Sequence, residues 1–301
     1  MKMRAGLLAT SILFVTMIVA DRPVVADPLA IGSISRNVKK EIRDFQPLAD
    51  YLSPRLDVGD KQGAEIIVLP SSEDMVLWLQ NGVVDVYIDS PFIAAQVASE
   101  TGAKPLLRRW KGGIDEYQSI LFTLANSGVR LFDDLEGKVV AFDKPHSSTG
   151  YLLPKAMLVQ RGFHLVEVDG PGSPVPPDSI GYVFTRDDDA TVDLILRRKV
   201  AAGATDDDTF ESALLVSDDE LAVLQRSPSI PRHVVVYRAD LDQAVVDEVE
   251  QLLLAMDDTP EGQLALQAFE GTTRFDPIPG GADATFSSIQ SMLEVLRKPL
   301  H

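Results

Sequence analysis

The chain has 301 residues, 45% hydrophobic and 24% charged, so it can fill a real core, over one or two domains, and is not disordered throughout. Forty-five acidic residues against 28 basic ones give a net charge of -17, which argues against a nucleic-acid-binding surface and against docking on anionic lipid. The absence of cysteine excludes disulfides, thiolate metal sites, thiol nucleophiles and a lipid-carrying N-terminal cysteine.

Lys2 and Arg4 precede an almost wholly apolar run over 7–20, and Val24-Val25-Ala26 offers a small-residue cleavage point. This is the layout of a signal peptide covering 1–26, and the run is shorter than the ~20 residues that a membrane span needs. Cleavage removes Lys2, Arg4, Arg22 and Asp21 and moves the net charge from -17 to -19. The mature protein is expected free in the periplasm, not as a lipoprotein.

Residues 29–33 then read as a strand, and 38–52 as a helix with Ile42, Phe45, Leu48, Ala49 and Leu52 at helical spacing. A strand is predicted over 65–69. Ser71 or Ser72 caps a helix to Gln80, with Glu73 and Asp74 in its first turn and Asn81-Gly82 as its stop. Strand 83–88, helix 92–99 and strand 104–108 follow. An extended run spans 117–124. The alternation restarts with strand 138–142, a helix to about Arg161 and a strand over 164–168. The four prolines within 170–178 mark a loop. A helix over 187–199, strands over 200–205 and 221–225, a second extended run over 233–237 and three helices over 241–256, 261–269 and 286–296 complete the chain.

This alternation predicts two α/β lobes, each a mostly parallel sheet covered by helices. The first lobe is expected at 27–116 plus 236–301 and the second, inserted, at 117–235, joined by a two-strand hinge near 117–124 and 232–237. A cleft between such lobes is where small ligands bind.

No catalytic set is evident: the four histidines, His146, His164, His233 and His301, are scattered, no G-x-S-x-G occurs, and Gly137-Lys138 lacks the rest of a P-loop. No metal site and no cofactor are expected. Asp187-Asp188-Asp189 opens a helix that ends in Arg197-Arg198-Lys199, which the helix dipole explains. Asp206, in Asp206-Asp207-Asp208, sits just past the end of a strand and is open to either a structural or a binding role. The most informative segment is Ser147-Ser148-Thr149-Gly150, which follows strand 138–142 and opens a helix. Unpaired amides and hydroxyls at a helix start make an anion site that does not depend on net charge, and Gly150 would let a ligand approach the backbone. A plain cap at Ser147 or Ser148 is the alternative. Pro154 suggests that this helix starts late or irregularly.

The segment from Ser147 to Pro154 resembles the S-T-S-G-x-x-x-P signature of the periplasmic binding proteins for phosphonate, phosphite and phosphate, the type 2 substrate-binding components of ABC importers. Ser stands for the signature's first Thr and Thr for its second Ser. Phe45-Gln46-Pro47-Leu48-Ala49-Asp50-Tyr51-Leu52, Gly82-Val83-Val84-Asp85-Val86-Tyr87, Leu135-Glu136-Gly137-Lys138 and Lys199-Val200-Ala201-Ala202-Gly203-Ala204 resemble further family segments in order.

The resemblance implies a binding protein, not an enzyme, that closes on a tetrahedral oxyanion and delivers it to an ABC permease. It also implies that Ser147, Ser148 and Thr149 bind the oxyanion oxygens, that Tyr87 closes over the ligand, and that Asp206 accepts from a protonated oxygen or an amino group. Ser90, Tyr117 and Thr185 are further candidates. His146, before the signature, departs from the pattern and is expected to face solvent. A monomer is expected. The alternative is a sensor subunit that presents the oxyanion to a membrane histidine kinase; a secreted phosphoesterase would need a metal set or nucleophile–base pair that the sequence lacks.

Overall fold

The computed structural model describes residues 26–217 and 220–297; the expected signal peptide lies, up to residue 25, outside them. In chain order come β1 (Asp27–Ile34), α1 (Val38–Leu52), β2 (Asp57–Val58), β3 (Lys61–Leu69), α2 (Ser72–Gln80), β4 (Val86–Asp89), α3 (Pro91–Thr101) and β5 (Lys104–Arg109). Next are β6 (Glu116–Tyr117), β7 (Ser119–Leu124), β8 (Val139–Phe142), a π-helical turn (Ser148–Leu152), α4 (Leu153–Gln160), β9 (His164–Glu167), β10 (Ser179–Phe184), α5 (Asp188–Leu196), β11 (Ala202–Asp206), α6 (Asp207–Val216) and β12 (Leu221–Arg226). The chain closes with β13 (Ile230–Pro231), β14 (His233–Tyr237), α7 (Gln243–Leu254), α8 (Pro260–Ala268), β15 (Phe275–Asp276) and α9 (Ala282–Arg297).

Local chemistry sets the ends of these elements. The Asn37 side chain accepts from the Lys40 amide and starts α1, whose Phe45, Leu48, Ala49 and Leu52 are buried as their spacing predicts. Ser71 caps α2 by accepting from the Asp74 amide, and Gly82 supplies the positive φ of 68° after its last turn. Burial of each large side chain on the α1 face stabilises the fold by roughly 1.5–3 kcal/mol.

The strands form two large sheets, ordered β15-β5-β14-β4-β1-β3-β2 and β12-β7-β11-β8-β10-β9. Parallel pairs make up β3-β1-β4 in the first and β11-β8-β10-β9 in the second; strands added beside them are antiparallel. The architecture is thus two α/β lobes. In the first sheet β1 pairs with β3 on one side and β4 on the other, so a switch point opens at the C-terminal strand ends.

The two extended runs read as hinge strands are interior strands of the sheets. Every residue of β7 is buried in the second sheet, and β14 lies between β4 and β5 in the first. The chain crosses between sheets just before β7 and just before β14, where β6 and β13 pair as a separate two-stranded ribbon. The longer elements β10 and α6 were not predicted, nor were the two-residue strands β2, β13 and β15. Beyond the ribbon, α9 packs on α3 of the first lobe and α4 of the second, so Phe92, Leu153, Met157, Phe286 and Ile289 share one apolar cluster.

Candidate functional site

The signature segment leaves β8 and enters a turn wider than an α-helix. The Leu152 amide donates to the Ser147 carbonyl at 2.9 Å and the Leu153 amide to that of Ser148, five residues back in each case. Pro154 is the cause. It has no N–H for the Gly150 carbonyl, which takes the Asp143 amide at 3.1 Å instead. The displaced Thr149 carbonyl takes the Ser119 hydroxyl at 2.6 Å. Such π-turns recur at functional sites because they re-aim backbone groups.

Ser147 caps the turn, its hydroxyl accepting from the Gly150 amide at 3.0 Å. The amides of Ser148 and Thr149 find no acceptor among the described residues. Both residues are 4% exposed, and the Ser148 hydroxyl is buried without a partner, a state that costs about 1–3 kcal/mol unless something fills it. Tyr117, brought in by the crossover ribbon, is buried beside Ser148, and the Arg232 guanidinium lies 4.7 Å from its ring centre. Burial raises the Tyr117 pKa, while the neighbouring Arg232 charge pulls it back. Arg232, which sequence reasoning missed, thus sets a positive charge beside the turn. Its only signal was a lone basic residue within Ser229-Ile230-Pro231-Arg232.

Acidic groups gather on the other flank. The Asp143 carboxylate is 1% exposed and one of its oxygens has no partner. Asp188 accepts from the Thr205 hydroxyl at 2.9 Å. Burial, and then the charges of Asp143 and Asp206, push the Asp188 pKa up to about 6. Asp206 caps α6 by accepting from the Thr209 amide at 2.8 Å, which leaves its second oxygen for the cluster. Asp188 was read as part of a helix-dipole triplet; Asp187 does cap α5, but the next carboxyl faces the site. Nothing in the sequence separates the two.

A raised carboxyl pKa makes the folded state hold a proton that the unfolded chain releases. The Asp188 contribution to stability is therefore present below pH about 4 and lost as the pH rises through about 6. We expect Asp188→Asn to flatten that loss, so that denaturation midpoints of the variant gain on the unaltered protein between pH 4 and 7; parallel profiles would remove Asp188 from the cluster.

The first lobe supplies the opposing wall. Tyr87 is fully buried and its hydroxyl donates to Asp89, so it supports Asp89 at the end of β4. Burial raises the pKa of both groups. Ser90 begins α3 with no side-chain capping bond, and its amide donates to Asp89 at 2.6 Å. It lines a cleft of about 800 Å³ together with residues of both lobes, and His146 is exposed at the same cleft.

Two of the expected ligand residues are engaged within the second lobe. Thr185 has a single hydroxyl proton, which the carbonyls of Phe142 (3.1 Å) and Asp187 (2.9 Å) compete for with the Thr191 hydroxyl (2.7 Å), so no donor is left for an oxyanion. Gly150 has both peptide groups bonded internally. A Cβ there would stand 2.7 Å from the Asp143 Cβ and 2.9 Å from the Ser147 hydroxyl, so glycine serves packing within the lobe and not the approach of a ligand. The structure does bring Ser148, Thr149, Tyr117 and Asp206 to one region, with Ser90 on the facing wall.

The chain matches the sequence model of the family described as ABC transporter, phosphonate, periplasmic substrate-binding protein, over residues 31–280. Among solved structures it is similar to XAC2383 from Xanthomonas citri bound to ATP, at 23% identity and a TM-score of 0.79, covering 90% of this chain and 98% of that one. It is similar to PhnD1 from Prochlorococcus marinus in complex with methylphosphonate, at 19% identity and a TM-score of 0.59, covering 91% and 100%. The periplasmic aliphatic sulphonate binding protein SsuA from Escherichia coli matches at 16% identity and a TM-score of 0.51, covering 90% and 88%. At these identities the likenesses establish the fold.

Proposed function

Given that this chain belongs to the phosphonate periplasmic substrate-binding family of ABC transporters, we propose that it captures a tetrahedral phosphorus oxyanion, whether phosphonate, phosphite or phosphate, and delivers it to an ABC permease. The family is a transport family and not an enzyme family, and it places the chain outside the cytoplasm. No helix among the described residues is long and apolar enough to cross a membrane. Export through cleavage near Ala26, and a monomeric state, complete the proposal.

The observation that carries this reading is the buried, unpartnered Ser148 hydroxyl beside two amides without acceptors. Hydrogen bonds to a charged group contribute about 1.5–3 kcal/mol each, and micromolar affinity requires about 8 kcal/mol. Four or five donors therefore suffice, and Ser148, Thr149, their amides and Tyr117 supply that number, with Arg232 adding charge. Asp188 and Asp206 repel a fully ionised guest and accept from one that retains a proton or bears an ammonium group. The first lobe is taken as 27–116 plus 233–297 and the second as 117–232, rotating about the β6–β13 ribbon.

The test is a thermal-shift panel of phosphate, phosphite, methylphosphonate, arsenate and sulfate. A ligand at about 100 times its Kd adds ~2.7 kcal/mol, which in a chain of this size raises Tm by about 5 °C or more. Small-angle scattering should then show a smaller radius with the best ligand. A panel with no shift at millimolar anion ends the proposal.

A further inference from the structure

We propose that the cleft is built for a phosphorus oxyanion carrying a second anionic group, held at the cleft mouth by Arg36, Arg186 and His146. This rests on the function proposed above and narrows it to doubly anionic organophosphorus or condensed phosphoryl ligands.

The first observation is size. The cleft of about 800 Å³ is lined by Pro145 and His146, which immediately precede the Ser147–Ser148 turn in the chain, and by Ser90 of the facing lobe. Pockets of about 300–1,000 Å³ hold ligands of drug-like size, so this space exceeds what one tetrahedral ion fills. The second is charge. Arg36 comes from the loop after β1 and Arg186 from the second lobe, and both line the same cleft as His146, whose pKa is lowered by partial burial and by Lys144, so that it serves as a neutral hydrogen-bonding group between the two charges. Neither arginine side chain meets a carboxylate among the described residues, in a chain with 45 acidic groups against 28 basic ones. The acids that share the cleft are engaged elsewhere. Asp89 accepts from Tyr87 and from the Ser90 amide, and hydrogen bonds in the first turn of α2 hold the Glu73 carboxyl below its usual pKa.

The third is backbone strain. Arg186 has φ 69°, a left-handed conformation that a residue with a Cβ adopts at a cost. It is held there by its amide, which donates to the Asp143 carbonyl at 2.6 Å, and by the Thr185 amide, which donates to Phe142 at 2.8 Å. The strain aims this arginine at the cleft. Closing the lobes brings like charges from opposite walls together, which is unfavourable until an anion lies between them. A ligand tail with a negative end removes that opposition, so it favours closure as well as binding.

Calorimetry tests this with methylphosphonate, phosphonoacetate and pyrophosphate at 0.15 M salt, on the unaltered protein and on an R36Q/R186N variant. Asparagine accepts the left-handed backbone, and both sites are exposed, so the variant should melt as the parent does. We expect phosphonoacetate or pyrophosphate to bind at least tenfold tighter than methylphosphonate, and the variant to bring that ratio close to one. The better of the two tells whether the distal group is a carboxylate or a phosphoryl. Equal affinities in the parent, or a ratio that survives in the variant, overturn the second subsite and leave the oxyanion reading standing. Failure of all three to bind defeats the oxyanion reading itself.

Discussion

An S148A/T149A variant is expected to bind its best oxyanion at least about 100-fold more weakly than the unaltered protein, while its ligand-free melting temperature stays level or rises. The first half follows from removing two hydroxyl donors to a charged guest, each contributing about 1.5–3 kcal/mol. The second half follows from the state of Ser148. Its hydroxyl is buried with no partner, so without ligand it is a destabilising group, and replacing it with a methyl removes that penalty. Residues kept for packing behave in the opposite way, losing stability when trimmed. A site held in readiness for a guest is the arrangement that trades stability for affinity at one atom. Calorimetry and a thermal melt on the same sample decide the matter. Unchanged affinity, or a melting temperature lowered by several degrees with affinity intact, would give the turn a structural role only.

Much of this arrangement was legible in the sequence, for physical reasons that differ from part to part. The helix start at Ser147 was visible because capping residues, a preceding apolar strand and Pro154 all bear on one turn. Pro154 also signalled the irregularity, though the shift to five-residue spacing depends on Asp143 and Ser119 being there to take up the displaced carbonyls. The strand β10 was missed because Ser179 and Gly181 interrupt its apolar run; a Cβ at Gly181 would stand 2.5 Å from Val175, so packing against the proline loop explains the glycine. The helix α6 was missed because Asp206-Asp207-Asp208 was read as a cluster of carboxylates. The argument applied to Asp187 holds there too, since Asp206 caps the helix and its neighbours occupy the first turn. The runs 117–124 and 233–237 read as hinge strands because a buried central strand and an extended crossover both appear as β-branched, apolar runs. Arg36, Arg186 and Arg232 were invisible because isolated arginines carry no pattern; only the folded chain brings the first two to the cleft and the third to Tyr117.

The second large effect concerns Asp85, the acid of the Gly82-Val83-Val84-Asp85 segment. Its carboxylate is fully buried, with Lys61 at 2.8 Å and Arg238 at 2.9 Å, and it accepts from the Ala30 amide at 2.9 Å. Its own amide donates to the Ala30 carbonyl at 2.9 Å, and its carbonyl accepts from the Arg238 amide at 2.9 Å. One residue thus fastens β1, β3 and the end of β14 to the start of β4, and so fixes the strand order that puts Asp89 and Ser90 at the cleft. Removing one partner from a buried charge network leaves uncompensated charge and typically costs about 3–5 kcal/mol. We therefore expect Asp85→Ala to lower Tm by roughly 10 °C, since 1 kcal/mol corresponds to about 2–4 °C in a chain of this size. Asp85→Asn keeps the side-chain volume and the bond from Ala30 but still leaves Lys61 without a carboxylate and Arg238 with only the exposed Asp240 at 2.7 Å, so it should recover only part of the loss. Glu261→Ala, which removes a carboxylate 70% exposed from Arg55, should change stability by less than about 1 kcal/mol. Folded Asp85→Ala protein should still bind the oxyanion, because the network sits at the opposite end of β4 from the cleft. A melting temperature within 2 °C of the parent would mean that packing alone orders the first sheet.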